Sequence, residues 1–267
     1  MKCGSGSFIF ADAAAGKKKA ITVHYHRPST HGPNDRIVIA MTGFDRAAGY
    51  FRDCWAPHAE DLNLLVVAPE FDQENFPGAP EYNYGNVVSA VGFNDKDAWT
   101  FGIIDRLFRE LKRATASERA GFGLFGHSAG AQFAHRYLAF TQQGLTEIVI
   151  AANAGWYMLP DPDMAYPAGT AGTGFDDGDL RRFLASPMVI LLGNDDTDEN
   201  AADLPKNPEA IAQGAHRLAR GLSHFDRCKA IADSLGVPFG WRLVIAPGVG
   251  HDDAQVAAAA SEVLKTA

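Results

Sequence analysis

One pentapeptide constrains the fold of this chain more than any other segment. Residues 126–130 read Gly-His-Ser-Ala-Gly, with an apolar, strand-like run at 121–125 before them and a helical pattern after them. A serine on a sharp strand-to-helix turn needs small residues two positions before it and two after it, because strand and helix pack closely there. Gly126 and Gly130 meet that need. The pentapeptide therefore predicts an elbow with Ser128 at its tip.

The strand candidates predict a mostly parallel sheet. Several of them are almost wholly apolar and alternate with helical patterns, which is typical of an α/β sheet covered by helices on both faces. A length of 267 residues with 46% hydrophobic residues fits a single domain over 1–267. We expect about eight strands, of which the first can pair antiparallel. The candidates are residues 21–26, 36–40, 64–68, 121–125, 147–152, 187–192 and 241–246.

Three long segments have helical patterns. In the first, apolar residues recur every four positions, and Asn94 or Asp95 is placed to cap the helix. In the second, Gly214 and Gly221 predict a break or two helices. The helices are predicted at residues 94–114, 210–235 and 252–265.

An acid and a histidine each follow a predicted strand. An acidic turn comes directly after the run at 187–192, and His251 comes shortly after the run at 241–246. Ser128 alone is a poor nucleophile, so a neighbouring imidazole must take its proton as attack on a carbonyl develops. The chain order serine, acid, histidine is one of the known orders of such a triad. We therefore predict a triad of Ser128, Asp196 and His251.

The acidic turn offers more than one candidate for the orienting acid. Asp196 stands three residues after Gly193, where the chain leaves the strand, and Asp195 and then Asp198 are the alternatives. A calcium loop fits poorly, because a loop that begins at Asp196 has Ala201 in place of the required glycine. The other histidines show no metal-ligand spacing. We expect no metal site.

Acyl transfer also needs backbone donors aimed at the developing oxyanion, and the loss of one costs about 3 to 4 kcal/mol. One donor is expected to be the Ala129 N–H, directly after the nucleophile. The second is expected to be the Phe44 N–H, in the loop after the second strand candidate, where Thr42 replaces a common histidine. An ion pair between Asp45 and Arg46 is a candidate support for this loop, although exposed pairs contribute little.

Residues 155–183 form a long, proline- and glycine-containing segment between two core strands. Loops longer than about 12 to 15 residues are uncommon in compact domains and are often lids or binding loops. We expect a cap or binding loop over the site, with an irregular surface excursion as the alternative. Tyr84, Trp156 and Tyr157, together with Phe44, are candidate pocket walls, and packing in the core is the alternative for each.

Charge and composition exclude several classes of function. A net charge of −8 and a pI near 5.5 argue against a nucleic-acid partner. The basic run at 17–19 is expected to be a solvated turn, and no stretch approaches the ~18 apolar residues of a membrane span. Three sparse cysteines imply neither a disulfide framework nor a zinc site, although a bridge between Cys54 and Cys228 stays open. We expect a cytoplasmic protein.

With these residues in place, the chain resembles the α/β-hydrolase superfamily across nearly its whole length. Within that superfamily, residues 69–72 (Pro-Glu-Phe-Asp), 126–136 and 247–251 (Pro-Gly-Val-Gly-His) are similar to bacterial esterases of the poly(3-hydroxybutyrate) depolymerase-like type. The resemblance implies a serine carboxylic-ester hydrolase that uses the predicted triad, acts on a small-molecule ester and needs no cofactor.

The resemblance does not fix the substrate. Because the sequence shows no appended binding module, linker or clear secretion signal, we expect a small or medium soluble ester, an oligoester or a lactone rather than a solid polymer. An amide or a thioester could be cleaved with the same triad. A ligand-binding protein that keeps the fold without turnover is the alternative of another class. A homodimer also stays open.

Overall fold

The computed structural model describes residues 1–12, 19–141 and 144–267. The solvated turn expected at 17–19 therefore lies largely outside the described residues. The strands are β1 (Gly4–Asp12), β2 (Lys19–Arg27), β3 (Ile37–Met41), β4 (Leu65–Glu70), β5 (Val88–Ser89), β6 (Gly92–Phe93), β7 (Phe122–His127), β8 (Thr146–Ala152), β9 (Met188–Gly193) and β10 (Trp241–Ala246). The helices are α1 (Ala48–Leu62), α2 (Gly78–Glu81), α3 (Phe101–Thr115), α4 (Ala129–Phe140), α5 (Asp177–Ala185), α6 (Pro208–Ile211), α7 (Arg217–Leu235) and α8 (Asp253–Lys265).

Eight strands form one sheet in the order β1-β2-β4-β3-β7-β8-β9-β10. The six strands from β4 to β10 in that order run parallel, while β1 and β2 pair antiparallel at one edge. The predicted mostly parallel sheet of about eight strands is confirmed. Within this sheet, β1 is the strand that the sequence analysis missed, because its Gly-Ser-Gly-Ser start lacks apolar residues and every second residue is exposed. The short hairpin of β5 and β6 was missed as well.

Helices cover both faces of this sheet. On one face, Phe101 of α3 and Phe133 of α4 pack in the larger core cluster with residues of the strands, and their rings lie 5.0 Å apart. On the other face, Trp55 of α1 packs on Phe125 of β7 at 4.9 Å, and Val256 of α8 belongs to the same cluster. The strand β7 therefore lies between two packed layers, which fixes the end from which the serine projects.

Two predicted helices have different ends in the structure. Helix α3 begins at Phe101 rather than near 94, because residues 96–98 form a separate 3-10 turn and the Asn94 side chain donates to the Asn86 carbonyl instead of capping a helix. The predicted break in 210–235 falls between α6 and α7, around Gly214. Gly221 lies inside α7, where a Cβ would meet the Leu192 side chain, so this glycine serves close helix–sheet packing rather than a break.

The segment 155–183 is only partly irregular. Residues 156–160 are buried, and the segment ends in the first part of α5, which Asp176 and Asp179 open with a capping box. Buried Arg136 of α4 donates to the Pro167 carbonyl, and Tyr166 donates to the Tyr84 carbonyl. These contacts hold the segment against the body of the fold. Among the described residues, no helix is long and apolar enough to cross a membrane.

Candidate active site

The serine stands at the junction of β7 and α4 with an unusual backbone conformation. Ser128 has φ +56° and ψ −114°, a region that residues with a Cβ rarely adopt. A Cβ at Gly126 would collide with the backbone of Gly130, and one at Gly130 would lie 2.7 Å from the Thr42 carbonyl oxygen. The two glycines are therefore required by close backbone approach, as the sequence predicted. The elbow also packs against the backbone at the end of β3 and the start of the loop after it.

The three residues of the predicted triad lie together. His251 Nε2 is 3.1 Å from Ser128 Oγ, and His251 Nδ1 is 2.7 Å from Asp196 Oδ2. Ser128 follows β7, Asp196 follows β9, and His251 follows β10, all at the carboxyl edge of the sheet. With Nδ1–H donating to the carboxylate, Nε2 is left as the acceptor for the serine proton.

The structure selects Asp196 from the acidic turn. Asp196 is buried, whereas Asp195 and Asp198 are exposed. The guanidinium of Arg217, also buried, is 3.6 Å from Asp196 Oδ1 on the side away from the imidazole contact. A buried carboxylate needs such partners, because an isolated buried charge is costly.

Asn153 connects the two loops that carry the acid and the base, and the sequence analysis missed it. Its Oδ1 accepts the Gly193 N–H at 2.8 Å, and its Nδ2 donates to the Gly250 carbonyl at 3.2 Å. It directly follows β8 with φ +48°, between the strands that end near Ser128 and Asp196. Its place after a core strand was a visible signal, since polar residues at the carboxyl edge of a parallel sheet converge.

The loop after β3 is held by an aromatic and a cation. The Tyr82 hydroxyl donates to the Thr42 carbonyl at 2.8 Å, and the Arg46 guanidinium lies 3.9 Å from the centre of the Tyr82 ring. Burial raises the pKa of Tyr82 to about 12, so the hydroxyl remains a donor at neutral pH. The proposed pair of Asp45 with Arg46 is wrong: buried Arg46 donates to the carbonyls of Phe71 and Gly78 instead.

The two expected oxyanion donors flank the serine. Ala129 is the first residue of α4, so its N–H has no carbonyl partner within the helix. Phe44 belongs to the loop after β3, and that loop comes close to the serine, since a Cβ at Gly43 would lie 3.9 Å from Ser128 Cβ. This arrangement can receive a carbonyl oxygen between the two segments.

Two solved structures are similar to this chain over almost its full length. A poly(aspartic acid) hydrolase-1 from Sphingomonas sp. KT-1 is 35% identical with a TM-score of 0.95, covering 99% of this chain and 100% of that one. LpqC, a poly(3-hydroxybutyrate) depolymerase from Bordetella parapertussis, is 34% identical with a TM-score of 0.93, covering 98% of this chain and 90% of that one. This chain belongs to the α/β-hydrolase superfamily.

More distant structures support the fold alone. An S-formylglutathione hydrolase from Agrobacterium tumefaciens is 14% identical with a TM-score of 0.63, covering 100% of this chain and 95% of that one. A scan against models of protein families finds no match, and a search of curated protein sequences finds none. The assignment to the α/β-hydrolases, and with it to the hydrolases, therefore depends on the two structures of 35% and 34% identity.

A second histidine lies beside His251. The His127 ring is centred 4.5 Å from the His251 ring, and its Nδ1 lies 2.5 Å from Asp253 Oδ1. Burial lowers the pKa of His127, although Asp253 opposes that shift. A neutral His127 places no positive charge against the imidazole of His251.

Two cavities open on Ser128. The larger, about 360 Å³, is lined by His251 and by acidic residues that include Asp45, Asp252 and Asp253. The smaller, about 170 Å³, extends from Ser128 and Ala129 toward α4. Ser128, Phe44 and Asp203 line both, so the two cavities meet at the serine. A larger cavity of about 630 Å³ lies along β10 and α8, and its lining includes no member of the triad.

Asp203 is a further residue of the site that the sequence analysis missed. Its Oδ1 is 2.7 Å from the Arg217 guanidinium, and its Oδ2 is 3.8 Å from His251 Nε2. Burial raises the pKa of Asp203, but the hydrogen bond and charge of Arg217 outweigh this effect, so the pKa lies below its usual value. Asp203 therefore presents a carboxylate at the mouth of both cavities. No single motif marks it, because it is reached through a long irregular connection after β9.

The expected pocket walls have different outcomes. Phe44, which is 61% exposed, and Tyr84 line the cavities. Trp156 does not: it is buried behind Tyr84, against the guanidinium of Arg136. Tyr157 is also in the core, stacked on His224 with the ring centres 4.4 Å apart. The expectation that these two residues form pocket walls is wrong, because both side chains are buried and neither lines a cavity next to Ser128.

The expected cap at 155–183 contributes little to the cavities. All of its residues are described, and of these Gly155 alone lines the space next to Ser128. The residues over the serine come instead from the connection after β9, where Asp203 and Pro205 line the smaller cavity. Among the described residues, no group of three or more His, Cys, Asp or Glu side chains is arranged to hold a metal ion.

Proposed function

We propose that this α/β-hydrolase is a serine hydrolase that cleaves carboxylic esters through an acyl-Ser128 intermediate. The observation that supports this most is the position of His251, whose two ring nitrogens lie 3.1 Å from Ser128 Oγ and 2.7 Å from Asp196 Oδ2. A nucleophile, a base and an orienting acid in hydrogen-bonding reach of one another are what acyl transfer needs.

In the first half-reaction, Ser128 Oγ attacks the ester carbonyl carbon while His251 Nε2 takes the hydroxyl proton. The carbonyl oxygen becomes an oxyanion, and the N–H groups of Ala129 and Phe44 donate to it. The bond between the carbonyl carbon and the alcohol oxygen then breaks, and His251 returns the proton to that oxygen. Asp196 keeps the imidazole in the required tautomer and stabilises its cationic form.

In the second half-reaction, water takes the place of the alcohol. His251 Nε2 accepts a proton from the water as its oxygen attacks the acyl carbon, and the same two donors receive the oxyanion. The bond to Ser128 Oγ breaks, the serine regains its proton from His251, and the carboxylic acid leaves. In both half-reactions, the proton moves through His251 Nε2.

The names of the two relatives support both an ester and an amide as the bond that is cleaved. LpqC is named for poly(3-hydroxybutyrate), a polyester, and the Sphingomonas protein is named for poly(aspartic acid), a polyamide. We propose a small or medium ester, an oligoester or a lactone as the substrate, because an alcohol is a better leaving group than an amine. Amide hydrolysis by the same triad is the alternative.

The experiment compares an ester and an amide of the same acyl and aryl groups. The parent protein is expected to hydrolyse the ester faster, and Ser128→Ala and His251→Ala are each expected to lose about 10³-fold or more in kcat. Ser234→Ala, at an exposed serine of α7, is the matched control and keeps the parental rate. Parental ester hydrolysis by Ser128→Ala would refute the mechanism, and a faster amide reaction would favour the alternative.

We also propose a cytoplasmic location. Cys3, Cys54 and Cys228 are all free thiols, so the bridge between Cys54 and Cys228 that the sequence left open is not formed. Cys228 is fully buried in the core. Free cysteines are typical of a reducing compartment, which supports this location. Detection of the protein in the soluble cytosolic fraction rather than outside the cell is the direct test.

A further inference from the structure

The larger of the two cavities at the serine lies on the leaving-group side. During ester cleavage the leaving oxygen receives its proton from His251, so the alcohol part of the substrate occupies the space next to that imidazole. His251 lines the larger cavity, whereas the smaller one is lined by Ser128 and the oxyanion donor Ala129 without His251. The alcohol part therefore extends into the larger cavity. Its volume of about 360 Å³ lies within the range of small-molecule sites, about 300 to 1,000 Å³.

The wall of this cavity is acidic. Among the described residues that line it, none is a lysine or an arginine, and four are aspartates: Asp45, Asp203, Asp252 and Asp253. Asp203 Oδ1 is 2.7 Å from the guanidinium of Arg217, which is buried outside this wall. Asp45 and Asp252 accept backbone N–H groups, from Ala47 at 3.3 Å and from Gln255 at 2.9 Å. A cleft lined by carboxylates attracts positive charge and raises the local concentration of cations.

Two exposed aromatic side chains complete the wall. Phe44 is 61% exposed and Tyr50 is 54% exposed, and both line the cavity. The face of an aromatic ring attracts a cation that lies within about 6 Å of the ring centre. In the part of the chain that the structure describes, no three His, Cys, Asp or Glu side chains are arranged to hold a metal ion. The wall therefore suits an organic cation rather than a metal ion.

A buried imidazole in the same wall has an acceptor without a partner. His127 is 2% exposed, lines the cavity, and has its Nδ1 2.5 Å from Asp253 Oδ1. Because a carboxylate only accepts, Nδ1 carries the hydrogen. Burial lowers the pKa of His127, which favours the neutral ring and leaves Nε2 as an acceptor. This buried Nε2 has no hydrogen-bond partner among the described residues. Buried polar atoms are nearly always paired, so it points to a ligand that supplies a donor.

A protonated amine matches these three properties of the wall. Its charge complements the aspartates, its alkyl groups contact the aromatic rings, and its N–H can donate to His127 Nε2. A quaternary ammonium has the charge without a donor, and a carboxylate would meet four like charges. The His127 ring is centred 4.5 Å from the His251 ring, so the amine lies close to the leaving oxygen. A spacer of two carbons fits this distance.

We propose that the larger cavity recognises a protonated amine on the alcohol part of the substrate, so that the preferred substrates are esters of short amino alcohols. This proposal rests on the ester hydrolysis proposed above. In it, Asp45, Asp252 and the aromatic rings attract the cation, and His127 Nε2 accepts its N–H. A site built to hydrogen-bond a substrate N–H rejects an analogue that lacks it, because the buried acceptor is then left unpaired.

The test compares four butanoate esters at neutral pH that differ in the alcohol. The 2-(dimethylamino)ethyl ester is a cation with an N–H, the choline ester is a cation without one, the 3,3-dimethylbutyl ester is the neutral isostere of choline, and the 2-carboxyethyl ester is an anion. Each kcat/KM is divided by the rate of hydrolysis of that ester by hydroxide. The parent is expected to prefer choline to its neutral isostere about tenfold and the protonated amine to choline about fivefold, with the anion poorest.

Two sets of variants separate charge from hydrogen bonding. The double variant Asp45→Asn with Asp252→Asn removes two charges but keeps an acceptor at each position, and asparagine is also a favoured N-cap residue. It is expected to reduce the preference for choline over its neutral isostere from about tenfold to about twofold. His127→Phe keeps a ring and removes the acceptor. It is expected to bring the ratio of the protonated amine to choline close to one.

The matched control is the double variant Asp226→Asn with Asp233→Asn. Both residues are exposed on α7, so the net charge changes by the same amount away from the cavity, and both ratios should stay parental. Thermal unfolding of each variant confirms that the ratios are measured on folded protein. In the parent, raising the salt from about 0.1 M to about 1 M shortens the Debye length from about 10 Å to about 3 Å and should lower the preference for choline over its isostere.

The outcomes are distinct. Equal rates of the parent on choline and its neutral isostere, a preference that the cavity variant keeps, or a preference for the anion would overturn the recognition of a cation. Equal rates on the protonated amine and choline, or a ratio that His127→Phe leaves unchanged, would overturn the role of His127. If the parent hydrolyses none of the four esters, the neutral one included, or if Ser128→Ala hydrolyses them equally well, the proposed function itself fails.

Discussion

The close approach at the elbow makes Gly126→Ala the sharpest test of how the fold positions the nucleophile. The added Cβ would lie 2.7 Å from Ala131 N and still nearer to the Gly130 carbonyl, whereas real Cβ contacts do not fall below 3.0 Å. Both obstacles are helix backbone and cannot rotate away. The first turn of α4 must therefore move by about 1 Å, a misplacement that can cost about 10²-fold in catalysis. Overpacking of this kind also costs about 1 to 3 kcal/mol of stability.

The matched control is Gly123→Ala on the same strand. Its added methyl would meet Val38 Cγ2 at 3.5 Å and Ile148 Cγ2 at 3.6 Å, which is ordinary contact. We expect Gly123→Ala to keep kcat/KM for an aryl butanoate within about threefold, while Gly126→Ala loses about 10²-fold. Urea unfolding measures the accompanying change in stability. Equal activity of the two variants would refute the argument that steric approach at this glycine sets the geometry of the serine.

Three further predictions concern two contacts near the serine and one buried histidine. Tyr82→Phe removes the hydroxyl that donates to the Thr42 carbonyl, and kcat for an ester should fall about tenfold with little change in KM. A tenfold rise in KM would contradict a role of Tyr82 in positioning the loop after β3. Asn153→Ala removes the hydrogen bond to Gly193, and kcat should fall about 10- to 100-fold in steady-state assays. A parental kcat would show that the loops after β9 and β10 keep their positions without Asn153. Burial lowers the pKa of His224 to about 3, so the folded state favours its neutral form. The free energy of unfolding should therefore decrease as pH falls from about 6.5 toward 3. In urea unfolding, His224→Phe should show a smaller change of this free energy with pH than the parent, and an equal change would contradict the assignment.

The parts of the site that could be predicted from sequence are those in which local chemistry and chain order agree. Gly126 and Gly130 could be explained from the pentapeptide alone, because strand and helix must pack closely on either side of Ser128. The structure shows this close backbone approach directly. The apolar runs of the central strands predicted the sheet because a parallel sheet is buried on both faces. Strand β1 was not predicted because it lies at the edge of the sheet, where it is a strand through its pairing with β2 and not through an apolar pattern.

The residues that were missed or misplaced depend on contacts between distant segments. Asp203 comes to the two cavities at the serine through a long connection, and it pairs with Arg217, fourteen positions further along. Asn153 matters because two other loops end beside it. Trp156 and Tyr157 were expected in the pocket because they lie in the segment that was expected to cover the site, but a sequence pattern does not show whether such a side chain packs in the cavity or in the core.

The measurement that tests the central claim most directly is intact-mass spectrometry after treatment with a fluorophosphonate, followed by peptide mapping. The parent should take up one label at Ser128, because only an activated serine in reach of a base reacts with this reagent. Ser128→Ala and His251→Ala should take up none under the same conditions, while both remain folded. An unlabelled, folded parent, or a label on any other residue, would contradict the account and favour a protein that binds ligands without turnover.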